Sequence, residues 1–165
     1  MRVFAVSGYS GTGKTSLIET LIEGLVARGA SVTTVKSSME DVMPPENSDT
    51  WKHLRAGAET TILQGPGSTT IRFKERADLE RILKHLDSDF LLIEGMKGIT
   101  IPRFWCMGEN HAVDDVPEGT VAIIIWNASR KIPTKVGVPV ILSDDIENLI
   151  EIVEREALDV SDLSL

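Results

Sequence analysis

Apolar and polar positions change their period along this chain, and each change marks an element. Val3-Phe4-Ala5-Val6 is a continuous apolar run, which reads as a buried strand. From Ser16 onward the apolar residues fall in pairs, Leu17/Ile18, Leu21/Ile22 and Leu25/Val26. That spacing lays one wide stripe along a helix, which stops at Arg28-Gly29. Ser31 to Val35 is a second, β-branched strand ending at Lys36, and the polar, acidic stretch from Ser37 to Ser48 is a loop. Asp49 to Ala58 reads as a short helix with Trp51 and Leu54 inward. Asp49 either caps that helix or points a carboxylate into a ligand site.

Thr60–Gln64 and Thr69–Phe73 flank Gly65-Pro66-Gly67-Ser68 as a β-hairpin. Asp78 to Leu86 is a helical pattern with Leu79, Ile82, Leu83 and Leu86 on one face. Phe90 to Ile93 is unbroken apolar and ends in Glu94. Further strands are expected over Pro102–Cys106, Val121–Trp126 and Val138–Leu142, separated by an acidic loop over Gly108–Gly119 and a cationic connection over Asn127–Gly137. A last helix runs from Asp144 to Glu156, capped by Ser143 or Asp144, with Ile146, Leu149, Ile150 and Val153 inward. Residues after Leu158 are expected to be loosely held. Strands alternating with helices predict an α/β fold, a mostly parallel sheet with helices on both faces and the hairpin as an insertion. The expected organisation is a single domain over 1–158 with a tail over 159–165.

The chemistry sits at the first strand-to-helix turn. Gly8-Tyr9-Ser10-Gly11-Thr12-Gly13-Lys14-Thr15 fits the phosphate-binding loop pattern, with a strand before it and a helix after it. Phosphate oxygens must be met by backbone N–H groups, and Gly8, Gly11 and Gly13 let the main chain come close. The helix N-terminus adds unpaired donors and the positive end of its dipole. Lys14 reaches the β- and γ-phosphates, and the Thr15 hydroxyl is placed to ligate Mg²⁺. This is the signature of a P-loop NTPase. The acid closing the second buried strand, Glu94, stands where such proteins keep a carboxylate that contacts Mg²⁺ through water or orients an attacking water. The plainer alternative is a strand end that meets solvent.

Composition narrows the class. The chain has 165 residues, 42% hydrophobic and 25% charged, as in a soluble globular protein. A net charge of −8 argues against a general nucleic-acid binder. No apolar run reaches membrane-spanning length, and Cys106 is the sole cysteine, so a cytoplasmic protein with a buried structural thiol is expected. His53, His85 and His111 share no metal-site spacing. Arg72-Phe73-Lys74-Glu75-Arg76 reads as a solvated mixed-charge face, or as a contact to a triphosphate or an acidic partner.

Taken together, several pieces resemble the molybdopterin-guanine dinucleotide biosynthesis protein B (MobB) family. They are the loop and helix from Gly8 to Glu19, Val35-Lys36, Asp49-Thr50, Ala56-Gly57-Ala58, Ile93-Glu94-Gly95-Met96-Lys97 with Pro102, and Asp144-Asp145-Ile146-Glu147. The resemblance implies a GTP-binding, weakly hydrolysing, Mg²⁺-dependent accessory protein, usually a homodimer, acting beside the guanylyltransferase that joins GMP to molybdopterin. It implies that Gly8 and the run Ser10, Gly11, Thr12, Gly13, Lys14, Thr15 and Ser16 hold the phosphates. Thr15, Asp49 and Glu94 would serve the metal, with Lys14, Glu94 and Asp49 acting in hydrolysis. The chain departs from the family at Ser37-Ser38-Met39-Glu40, where histidines are common, and at Asn47-Ser48, where Gly-Lys is common. It has no Asn-Lys-x-Asp guanine signature; Asn127 either reads a base edge or ends a strand, and ATP stays open beside GTP. The alternative function is a small-molecule kinase, with a lid formed by Arg130-Lys131 to Lys135 or by Arg72 to Arg76.

Overall fold

The computed structural model describes residues 1–108, 116–127 and 137–163. His111, Arg130, Lys131 and Lys135 lie outside the described residues, and so does most of the acidic loop and the cationic connection. In chain order the elements are β1 (Arg2–Gly8), α1 (Lys14–Ala27), β2 (Val32–Lys36), α2 (Asp49–Arg55), β3 (Thr60–Gln64), β4 (Thr69–Phe73), α3 (Leu79–Leu83), β5 (Phe90–Glu94), β6 (Arg103–Cys106), β7 (Thr120–Ile125), β8 (Val140–Leu142), α4 (Ile146–Glu156) and β9 (Leu158–Asp159). The chain forms two compact units, one from Met1–Ser37 with Asp87–Leu165, the other from Ser38–Leu86.

The larger unit is built on a seven-stranded sheet in the order β2-β5-β1-β6-β7-β8, with β9 added against β1. Every pairing along that order is parallel, as the βαβ alternation requires. β1 and β5 are buried on both faces, which explains their unbroken apolar sequence. On one face Phe4, Val6, Leu92, Phe104 and Ile124 meet Leu17, Leu21 and Leu25 of α1 and Leu149, Ile150 and Val153 of α4 in one core. On the other, Trp105, Met107, Ile123 and Ile125 form a second cluster with Tyr9 against it. Gly24 lies inside α1, where a glycine costs about 1 kcal/mol relative to alanine. A Cβ there would stand 2.9 Å from Ile150 Cγ1, so the glycine allows the two helices to approach. Arg28 closes the pair by bridging to Glu147 and Glu154 of α4.

Three details differ from the sequence expectation. Ile146, the first residue of α4, is exposed rather than inward, and Ile152 is buried. Its N-cap is Asp145, whose carboxylate accepts from Asn148 rather than from the backbone. The chain just after Leu158 is held rather than loose. Leu158 and Asp159 pair antiparallel with Val3 and Arg2, and the Val160 amide donates to Met1 O at 2.9 Å. The free lower edge of β1, below where β6 begins, supplies those partners.

In the smaller unit β3–β4 forms the expected hairpin, with Gln64 facing Thr69. α2 is capped by Ser48, whose hydroxyl accepts from the Trp51 amide, so Asp49 is not its cap. Leu54 and Leu79 are the buried residues of α2 and α3.

Candidate nucleotide site

The parallel order brings the carboxyl ends of β2, β5, β1 and β6 side by side, and α/β sheets bind ligands at such ends. β1 ends at Gly8, whose φ of 150° only glycine adopts with ease. A Cβ on Gly8 would also press on Thr12 Oγ1 at 2.9 Å and on Cys106 Cβ at 3.1 Å. The loop then winds round one carbonyl. Tyr9 O accepts from Thr12 Oγ1 at 2.8 Å and from Lys14 Nζ at 2.5 Å. Thr12 is buried by this bond, while Ser10 and Gly11 stand exposed at the crest.

Gly13 is the N-cap of α1 in the left-handed region, with φ 76°, and no side chain caps the helix. No acid lies in the first turn either. The amides at the start of α1 therefore keep their hydrogen-bonding capacity and the dipole its positive end, which is a site for an anion. Thr15 and Ser16 are exposed on that turn. Gly13 serves a second purpose, since a Cβ there would lie 2.7 Å from Trp126 Cε2 and 2.9 Å from Cη2. The indole at the end of β7 rests on the loop.

Opposite the turn, Glu94 Oε1 accepts from Thr15 Oγ1 at 3.2 Å and lies 3.4 Å from Lys36 Nζ. The structure thus brings Thr15 and Glu94 together as the sequence led one to expect. One hydroxyl and one carboxylate suit Mg²⁺, which takes few protein ligands and completes its octahedron with phosphate oxygens and waters. Among the described residues no three His, Cys, Asp or Glu side chains gather into a metal cage. Asp49 belongs to the other unit, exposed at the head of α2 and 3.6 Å from Lys52.

The turn after Glu94 is held by a residue that sequence reasoning did not single out. Arg103 is fully buried, and its guanidinium donates to Ile101 O, Ile99 O and Ser7 Oγ. Ser7 in turn donates to Gly95 O at 2.8 Å. All three acceptors are neutral, and burial pulls the Arg103 pKa below the ordinary arginine range. Lys97, on the same turn, lies over the rings of Tyr9 and Trp105 at 4.5 and 5.1 Å. Cys106 is buried beside the loop, and burial pushes its thiol up to about 12, which rules out a ready nucleophile. A polar Ser7 closing an apolar strand was a visible trace of this network.

Comparison with known proteins places these features. The family model for molybdopterin guanine dinucleotide synthesis protein B matches residues 3–125. A Methanocaldococcus jannaschii relative named as a molybdopterin-guanine dinucleotide biosynthesis adapter protein is 34% identical over 132 residues, 75% of this chain and 55% of its own length. The chain thus spans just over half of that protein. The Escherichia coli adapter protein of the same name is 26% identical over 161 residues, covering 92% of this chain and 90% of its own. The crystal structure of Bacillus subtilis MobB superposes with a TM-score of 0.77 at 24% identity, over 96% of this chain and 99% of that one, a likeness of fold. Among the described residues no helix is long and apolar enough to cross a membrane.

Proposed function

The chain belongs to the molybdopterin guanine dinucleotide synthesis protein B family, and on that footing we propose that it is an adapter of molybdenum cofactor biosynthesis that binds GTP with Mg²⁺ and hydrolyses it slowly. The observation that carries this reading is the Thr15–Glu94 pair at the uncapped start of α1. A hydroxyl, a carboxylate and a row of free amides are what a triphosphate with its metal needs. Gly8 and the run from Ser10 to Ser16 wrap the phosphates, and Lys14 leaves Tyr9 O to meet the β- and γ-oxygens. Thr15 would hold the metal directly and Glu94 through water. The metal, when bound, neutralises the charge that develops on the transferring phosphoryl group. Glu94 orients the water. Among the described residues beside Thr15, no carboxylate other than Glu94 stands in the role of a base, which fits slow turnover.

The partner under this reading is the guanylyltransferase that attaches GMP to molybdopterin, and the protein works as a homodimer in the cytoplasm. The test is a Mg²⁺-dependent calorimetric titration with GTP and with ATP, each with and without a molybdopterin-loaded guanylyltransferase. Preference for GTP, with affinity or turnover altered by the partner, supports the adapter. Preference for ATP, with fast turnover only when a small acceptor is added, overturns it in favour of a kinase.

A further inference from the structure

We propose that the unit formed by Ser38–Leu86 carries a binding site of its own, for a small flat aromatic molecule bearing a phosphate or carboxylate. A cavity of about 180 Å³ in this unit is lined by Trp51, Leu54 and Phe73 together with Arg55, Arg72 and Lys74. A dry cavity of roughly 150 Å³ accommodates a benzene ring, so the space admits a ring-sized group. Two aromatic side chains offer it faces to stack on. The cations are what set this cavity apart from a gap in a core. Arg55 lies 5.5 Å from the centre of the Trp51 ring, and Arg81 reinforces Phe73 from 4.3 Å.

None of Arg55, Arg72 and Lys74 makes an ion pair among the described residues, whereas Lys52 and Lys84 of the same unit are each paired with an acid. On a chain of net charge −8, three cations left without carboxylates around one apolar cavity form a local positive field. An apolar ring with an anionic substituent satisfies both halves of the site at once. The hairpin presents two of these cations on a fixed frame. Arg72 sits opposite Thr61 in the β3–β4 register, and the Lys74 amide donates to Glu59 O at 2.8 Å. This site does not depend on the reading of the phosphate loop.

The experiment titrates 1-naphthyl phosphate into the full chain by calorimetry, with 1-naphthol and inorganic phosphate as the separate halves of the probe. The phosphate ester should bind about tenfold or more tightly than either half, and the Arg72→Met/Lys74→Met double variant should lose about tenfold in affinity. The Lys14→Ala variant should bind the ester as the parent does, and the Trp51 indole N–H resonance should move on titration. Both substituted side chains reach the surface, so an unchanged melting temperature certifies the double variant's fold. Equal affinity for 1-naphthol and its phosphate would overturn the proposal, leaving an apolar gap. Absence of binding would overturn it too, as would loss on Lys14→Ala with none on Arg72→Met/Lys74→Met, which would place the probe at the phosphate loop.

Discussion

Thr15 Oγ1 donates to Glu94 Oε1 at 3.2 Å, joining the first turn of α1 to the tip of β5 across 79 positions of sequence. Lys36 Nζ approaches the same carboxylate oxygen at 3.4 Å. Replacing Glu94 with Gln keeps the shape and removes the charge that orients water. Hydrolysis should slow by roughly a hundredfold while triphosphate affinity falls only a few-fold. Single-turnover rates set beside calorimetric affinities decide this, and equal losses in both would make Glu94 a binding residue only.

Lys14 opens α1, half-buried, and among the described residues its ammonium donates to the carbonyl of Tyr9. Lys14→Ala should therefore leave the melting temperature within about a degree and weaken triphosphate binding by tenfold or more, the scale of a lost charge-assisted bond of about 1.5–3 kcal/mol. Unchanged affinity would move the site elsewhere.

Gly13→Ala should destabilise the protein in two separable ways. The left-handed φ of 76° costs a Cβ-bearing residue about 1–2 kcal/mol, and the Cβ also meets the Trp126 indole. Adding Trp126→Ala should relieve the second cost and leave the first. Chemical denaturation of the two single variants and the double variant measures the coupling directly. Strictly additive losses would show that the two residues do not press on one another.

Arg103→Ala removes a fully buried side chain and strands the carbonyls of Ile99 and Ile101. A loss of about 3–5 kcal/mol is expected from the cavity and the unmet acceptors. Arg103→Lys, which keeps a donor and most of the volume, should recover part of it. A melting temperature unaltered by the alanine would contradict the role given to this guanidinium.

Asp89 gives the acid limb of stability a definite source. Its carboxylate accepts from the Ser31 amide at 2.8 Å and hydroxyl at 2.7 Å, which ties the start of β2 to the start of β5. Those bonds hold its pKa below the ordinary 3.8. A depressed folded pKa stabilises above the unfolded value and is lost as pH falls through the folded one. Asp89→Asn should therefore be less stable than the parent at neutral pH, and the gap should close only below pH 3.8. A gap that stays constant down to pH 2 would exclude the charge as its cause.

The phosphate loop and both halves of the Thr15–Glu94 pair could be read from the sequence because their demands are local. Glycines at fixed offsets serve the backbone, and an acid closes an apolar strand. The β3–β4 hairpin was legible for the same reason. Arg103 was not, since an arginine within a short strand carries no mark of burial, and its acceptors come from the loop before it and from β1. Trp126 on Gly13 depends on β7 lying two strands from β1, a fact of topology rather than of either sequence. Ile146 was misplaced because periodicity assigns one face to the whole helix, whereas the buried face of α4 starts only at Leu149. The pairing of β9 arose from an edge left open by the late start of β6.

The indole resting on Gly13 equips the protein with its own optical reporter. Trp126 is 44% exposed and touches the loop we assign to the triphosphate, whereas Trp105 is 2% exposed in the core. Any movement of that loop alters the polarity around the Trp126 ring and so the colour and yield of its emission. With Trp51 and Trp105 exchanged for Phe, ligand arrival and release can be timed in a stopped-flow instrument without attaching a dye.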